Sequence, residues 1–232
     1  VGSELVLVSP VKVVQTLFPV IFDPDFLKTV WYSAARILGG FFTALTLGTV
    51  LGWVASRFWV VETLLRPITA VIKATPVASF IILVLLWFSG KNLSVIISML
   101  MVFPVIYMNV LEGIRSADEK LLEMAQVFRL SVGKKLLYIY LPAVAPFFVS
   151  ACSVSLGLCW KSGIAAEVIG TPDGSVGAVF YQAKIFLQTS ELLAWTVVVV
   201  AVSVAFEKLF MLLLRLILKK LKMEDVLNGK RA

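Results

Sequence analysis

Few residues in this chain are equipped for chemistry, and they lie in unusual places. Lys161 falls inside one long apolar run and Lys73 inside another, with Glu167 just past the first. Ionisable groups at membrane depth are costly, and they mark candidate sites for moving a solute or a proton. A cation at Lys161 would attract an anion such as a sulfonate. Its long stem would equally let the ammonium reach the lipid interface, and both readings stand. Thr75, Asn109, Ser153 and Ser155 bring hydroxyl and amide groups into the same runs. They suit either a solute path or hydrogen bonds between helices. The candidate path residues are therefore Lys73, Thr75, Asn109, Ser155, Lys161 and Glu167, with Glu167 expected at the outer mouth.

No plausible acid–nucleophile constellation for catalysis is visible. The chain has no histidine, and Cys152 and Cys159 are its only cysteines. Seven residues apart, they fall on roughly one helix face and read as small packing residues. No Cys/His spacing suited to a metal occurs. No Gly-x-x-x-x-Gly-Lys-Ser/Thr phosphate loop occurs either. The chain is not expected to be an enzyme or to hold a metal or cofactor of its own.

The elements that carry these residues are membrane helices. Of 232 residues, 60% are hydrophobic and 15% charged, against about 25% charged in soluble domains. The apolar residues come in runs of about 20, the length of a bilayer-crossing helix. We expect an all-α, polytopic membrane protein with spans near 26–55, 67–88, 93–114, 141–166 and 192–218. Pro76 should kink the second span. Gly48 and Gly52 form a small-xxx-small pair, which admits a close helix neighbour. Arg57, Glu62 and Arg66 should form a short polar turn, and Ser89-Gly90-Lys91-Asn92 a loop. Val11–Phe22, interrupted by Pro19, reads as an interfacial helix. Thr171-Pro172-Asp173-Gly174 reads as a turn before a short helix over 178–186.

Charge sets the topology. Arg57, Arg66, Arg115, Lys120, Arg129, Lys134, Lys135 and the lysines at 219, 220 and 222 fall on one side. The other side holds mainly Lys12, Lys91 and Lys184, with Lys28 at a membrane edge. The richer side is cytoplasmic by the positive-inside rule. The net charge of +7 is thereby accounted for by topology and anionic lipid rather than by nucleic acid. The start at Val1 is then outside, without a secretory signal, so a further span is expected before it. The chain divides into an extracytoplasmic segment (1–27), a transmembrane domain (28–218) with a cytoplasmic loop (115–140), and a cytoplasmic tail (219–232).

That loop holds the most informative pattern. Ser116-Ala117-Asp118-Glu119 has the form of a capping box. Leu121, Leu122, Ala125 and Phe128 then recur at helical spacing. The helix is too short and polar to span, so its apolar face must rest either on its own protein or on a partner.

Glu123-Met124-Ala125, three residues, Arg129, nine residues, then Ile139-Tyr140-Leu141-Pro142 resembles the EAA loop of ABC-importer permeases. That pattern reads Glu-Ala-Ala, three residues, Gly, nine residues, Ile-x-Leu-Pro. Met124 and Arg129 depart from it, and Gly133 lies four residues after the missing glycine. Leu7-Val8-Ser9-Pro10, Lys73-Ala74-Thr75-Pro76, Leu86-Trp87-Phe88, Trp160, Ala165 through Gly170 and Gly174-Ser175-Val176-Gly177 resemble the nitrate, sulfonate and taurine branch.

The resemblance implies a type I ABC importer permease fold in a bacterial cell membrane. It implies a paired permease, expected as a homodimer, and cytoplasmic ATPase subunits that use ATP and Mg. It also implies an extracytoplasmic binding protein that delivers a small solute, either an anion of the sulfonate, nitrate or taurine kind or a vitamin precursor. Leu121, Leu122, Glu123, Ala125, Phe128 and Arg129 are the implied ATPase contacts. A secondary transporter or channel is the competing class. It would commonly carry internal repeats, and none is visible.

Overall fold

The computed structural model describes residues 8–220. Leu7, Lys222 and the tail from 221 onward lie outside the described residues. Within them the regular structure is helical, with no strand.

The chain opens on α1 (Pro10–Ile21), close to the interfacial helix expected there. Ser9 caps it, its Oγ accepting from the Val11 amide at 3.4 Å, and Pro10 fills the first turn, where its missing N–H costs nothing. No α1 residue is fully buried.

The next helices are α2 (Phe26–Arg57), α3 (Trp59–Ala74), α4 (Val77–Leu85) and α5 (Gly90–Arg115). Then come α6 (Glu119–Val127) and α7 (Val132–Lys135), which runs through a π-helical turn (Leu136–Tyr140) into α8 (Leu141–Gly170). The chain closes with α9 (Val176–Ile185) and α10 (Thr189–Lys220). Among the described residues four helices are long and apolar enough to cross a membrane, α2, α5, the continuous Val132–Gly170 helix and α10, and the bent pair of α3 and α4 makes a fifth if it is one span. A lipid core offers no water to backbone groups, so long helices that close their own hydrogen bonds are what such runs must form.

Three expectations need correction. The second span is not a kinked single helix: α3 and α4 meet at 105°. Pro76 is extended (φ −58°, ψ 137°) and starts α4 without donating an N–H. Proline also disfavours the helical region for Thr75 before it. Alone, the nine residues of α4 rise only about 14 Å, short of a bilayer core. The polar turn over 57–66 is instead helical, with Glu62 and Arg66 inside α3. The loop at 89–92 is shorter than expected, because α5 already begins at Gly90.

The residues group into two compact units. One comprises the chain up to Phe42, Thr75–Met99 and Gly157–Phe206. Its core includes Ile37, Phe41, Leu93, Ile97 and Cys159, all fully buried. A second cluster there joins Val176, Trp195 and Val198 to Leu17, Val20 and Phe26.

The other unit comprises Thr43–Ala74, Leu100–Leu156 and the residues from Glu207. Here the Gly48/Gly52 pair does what its spacing suggests. A Cβ at Gly48 would lie 2.9 Å from Ile106 Cβ, and one at Gly52 would lie 3.0 Å from Val110 Cγ1. The α2 and α5 backbones therefore approach closely. Ala55, Tyr107 and Leu111 are buried beside Leu51, Val61, Leu65 and Phe103.

Candidate functional site

The α6 segment is built differently at its start than its sequence suggests, and more firmly at its end. Ser116 does not form the capping box: its Oγ donates to Gly113 O at 2.9 Å, closing the end of α5. Asp118 caps α6 instead, its carboxylate accepting from the Lys120 amide at 2.9 Å. Both residues suit a cap, and the chain uses the later one because α5 holds the earlier one.

The end of α6 is a Schellman motif. The Leu130 amide bonds Ala125 O at 2.9 Å and the Arg129 amide bonds Gln126 O at 3.1 Å. Leu130 also packs against the cluster that buries Ala125, completing the apolar contact of that motif. The geometry needs a left-handed residue at position 129, and Arg129 takes it with φ 49°. This is the position where the EAA pattern has glycine. Gly133 does not substitute for it, because it lies within α7.

The expected apolar face of α6 divides in two. Ala125 is fully buried and Leu122 partly so, against Ala117, Ile139 and Ala143 of the same unit. Leu121, Met124, Val127 and Phe128 are exposed, Phe128 at 72% and Val127 at 78%. Glu123 and Arg129 are exposed beside them. One side thus fixes α6 to its own protein, and the other presents large apolar groups next to an acid and a base.

The candidate path residues are divided between the two units. Lys73, Asn109 and Ser155 belong to the second unit; Thr75, Lys161 and Glu167 belong to the first. Lys73 is exposed, with Nζ 3.5 Å from Met108 Sδ. Thr75, partly buried, stands at the α3–α4 break. Asn109 Nδ2 donates to Val105 O at 2.8 Å, so that amide hydrogen is used within its own helix. Ser155 is fully buried, its hydroxyl without a hydrogen-bond partner among the described residues. Lys161 is exposed.

Glu167 is not at an open mouth. It is fully buried, where Ser33 Oγ donates to its Oε2 at 2.6 Å and the Gly177 amide reaches the same oxygen at 3.4 Å. Ser33 Oγ in turn accepts from the Val176 amide at 2.9 Å. Ser94 faces the same carboxylate, but its Oγ makes no hydrogen bond of good geometry among the described residues. The carboxylate thus sits at the N-terminus of α9, where the helix dipole favours an anion.

This junction accounts for two glycines. Gly174, at φ 74°, occupies the left-handed position of the turn closed by the Ser175 amide on Pro172 O at 3.2 Å. A Cβ on Gly177 would overlap the Glu167 backbone and side chain.

Two polar residues, and one pairing, escaped the sequence reading. Ser33, buried at 1% exposure, looks locally like any small helix residue. Glu207 lies well inside apolar α10 and accepts from Ser153 Oγ at 3.0 Å. The criterion that singled out Lys161 would have found it. Arg115 pairs with Glu62 at 2.5 Å, a contact that required knowing α3 extends back to Trp59.

Residues 44–223 match the family described as binding-protein-dependent transport system inner membrane component. The chain is 30% identical, over 94% of its length and 79% of the relative's, to the putative aliphatic sulfonates transport permease protein SsuC of Bacillus subtilis. It is 26% identical to the taurine transport system permease protein TauC of Escherichia coli, over 88% of this chain and 76% of that one. It is 25% identical to the nitrate import permease protein NrtB of Synechococcus elongatus, over 82% and 78%.

Proposed function

Because this chain belongs to the family of binding-protein-dependent transport system inner membrane components, we infer that it is the permease of an ATP-driven importer and that α6 is the element a cytoplasmic ATPase grips. The observation that carries this reading is the exposed face of Leu121, Met124, Val127 and Phe128, set beside Glu123 and Arg129. Such a face on a short polar helix is a typical helix-in-groove ligand. Leu122 and Ala125, buried against Ile139 and Ala143, act as positioning residues rather than contacts. Ile139 lies on the helix that continues into α8. A push on α6 would therefore reach a membrane helix as a rigid-body displacement, the kind alternating access needs.

The ATPase supplies ATP and Mg chemistry; this chain supplies the path and the handle. An extracytoplasmic binding protein delivers the solute, and a second permease copy completes the path. The relatives' names favour a small solute of the sulfonate, taurine or nitrate kind. Lys161 and Lys73, both exposed, are the residues of this chain suited to attracting an anion. Thr75 and Ser155 are proposed as lesser polar contacts along the path. Glu167 serves as an internal strut, and Asn109 braces its own helix.

The test is Glu123→Arg. It should leave the permease in the membrane while weakening both ATPase co-purification and solute uptake. Unchanged co-purification and uptake would remove the reading.

A further inference from the structure

The second unit contains a cleft of about 380 Å³ between α3 and α5, within the size range of small-molecule sites. It is lined by two arginines and two glutamates, Arg66, Arg115, Glu62 and Glu112, over a floor that includes Thr69 and Tyr107. Arg115 and Glu62 are already paired. Arg66 and Glu112 line the same cleft and have no ion-pair partner within 4 Å among the described residues.

The floor points to a ligand. Tyr107 is 3% exposed, and its hydroxyl meets no hydrogen-bond partner among the described residues. A buried hydroxyl left unmet is costly and calls for a missing partner. The Thr69 hydroxyl is directed at Leu65 O and Arg66 O of its own helix, both at 3.0 Å, so it offers the cleft acceptor lone pairs only.

We propose that this cleft binds a small zwitterion, with its anionic head on Arg66 and the Tyr107 hydroxyl and its ammonium on Glu112. The charge balance selects the class. The four charged side chains sum to zero, so a simple anion entering the cleft meets two carboxylates, and a simple cation meets two guanidiniums. A solute carrying both charges satisfies both free groups at once. Arg66 can hold a sulfonate or carboxylate through parallel N–H donors. The Glu62–Arg115 pair fixes the wall without consuming either free group. The proposal rests on the importer reading only for why such a solute reaches the cleft. It makes this a contact for the solute on the arginine-rich side of the permease, separate from Lys161.

The test uses the permease with its ATPase subunits in lipid nanodiscs and measures equilibrium binding of three probes: taurine, ethanesulfonate and ethylammonium. Taurine should bind about tenfold or more tightly than either single-charge probe. Glu112→Gln should reduce taurine affinity to that of ethanesulfonate without weakening ethanesulfonate. Arg66→Gln should do the mirror image with ethylammonium. A general loss of folding would weaken all three probes together and would not produce these crossed patterns. Equal binding of taurine and ethanesulfonate to the unaltered complex overturns the proposal, as does no taurine binding. Variants that shift all probes alike overturn it too. If taurine fails to bind while the ATPase still co-purifies, the cleft assignment falls and the importer reading stands. If the ATPase does not co-purify with the unaltered chain, the importer reading itself falls.

Discussion

Ser33 and Glu167, 134 residues apart, are joined by a 2.6 Å hydrogen bond in which the serine hydroxyl donates to the carboxylate. The same hydroxyl oxygen accepts from Val176 at the start of α9, so one small side chain ties α2, α8 and α9 together. Ser33→Ala leaves a buried amide and a carboxylate oxygen without this partner, a loss of about 1–3 kcal/mol. The expected outcome is a lower thermal unfolding midpoint for the purified permease. Glu167→Gln, which keeps an acceptor, should cost less than Glu167→Ala. An unchanged midpoint for Ser33→Ala would show that the junction is not structural.

The same junction predicts opposite results for two glycines on or beside α8. Gly177→Ala forces a methyl group into Glu167 and should lower the unfolding midpoint. Gly157→Ala meets nothing within 4 Å and replaces a poor helix former, a gain of about 0.5–1 kcal/mol. Equal effects from the two substitutions would contradict the packing described.

At the end of α6, Arg129 holds a conformation that L side chains adopt at a cost of roughly 1–2 kcal/mol. Arg129→Gly should relieve most of this and slow hydrogen exchange at the Leu130 amide, which closes the motif. Arg129→Val should speed that exchange, because a β-branched residue tolerates the left-handed region least. Faster exchange in Arg129→Gly would contradict the Schellman assignment.

Lys161 separates two roles through uptake. If its cation attracts the solute, Lys161→Met should raise the KM for an anionic solute and leave ATPase co-purification intact. Normal uptake at low solute concentration would leave lipid-interface anchoring as its role.

Much of this architecture is legible in the chain. Apolar length locates α2, α5 and α10 to within a few residues, because a backbone in lipid must bond within its own helix, whereas the second span starts eight residues early, at Trp59, and breaks in two. The Glu123–Pro142 spacing locates the loop. What local pattern cannot supply is whatever depends on distant partners. Pro76 announces a bend but not 105°. Ser116 and Asp118 are both good caps, and only the α5 end decides between them. Glu167 reads as a mouth residue because nothing near it in sequence hints at Ser33. Arg129 is the reverse case: the departure from glycine is plain in the sequence, and only the backbone reveals that the glycine-type conformation survives it.

The central claim is that the exposed side of α6 meets an ATPase, and site-directed photo-crosslinking tests it most directly. A photoreactive side chain placed at position 121, 124 or 128 should capture the ATPase chain in membranes, identified by mass spectrometry. The same group placed at exposed Val14 on α1 should not. If positions 121, 124 and 128 capture lipid or the permease alone, α6 is not the docking element and the account of coupling fails.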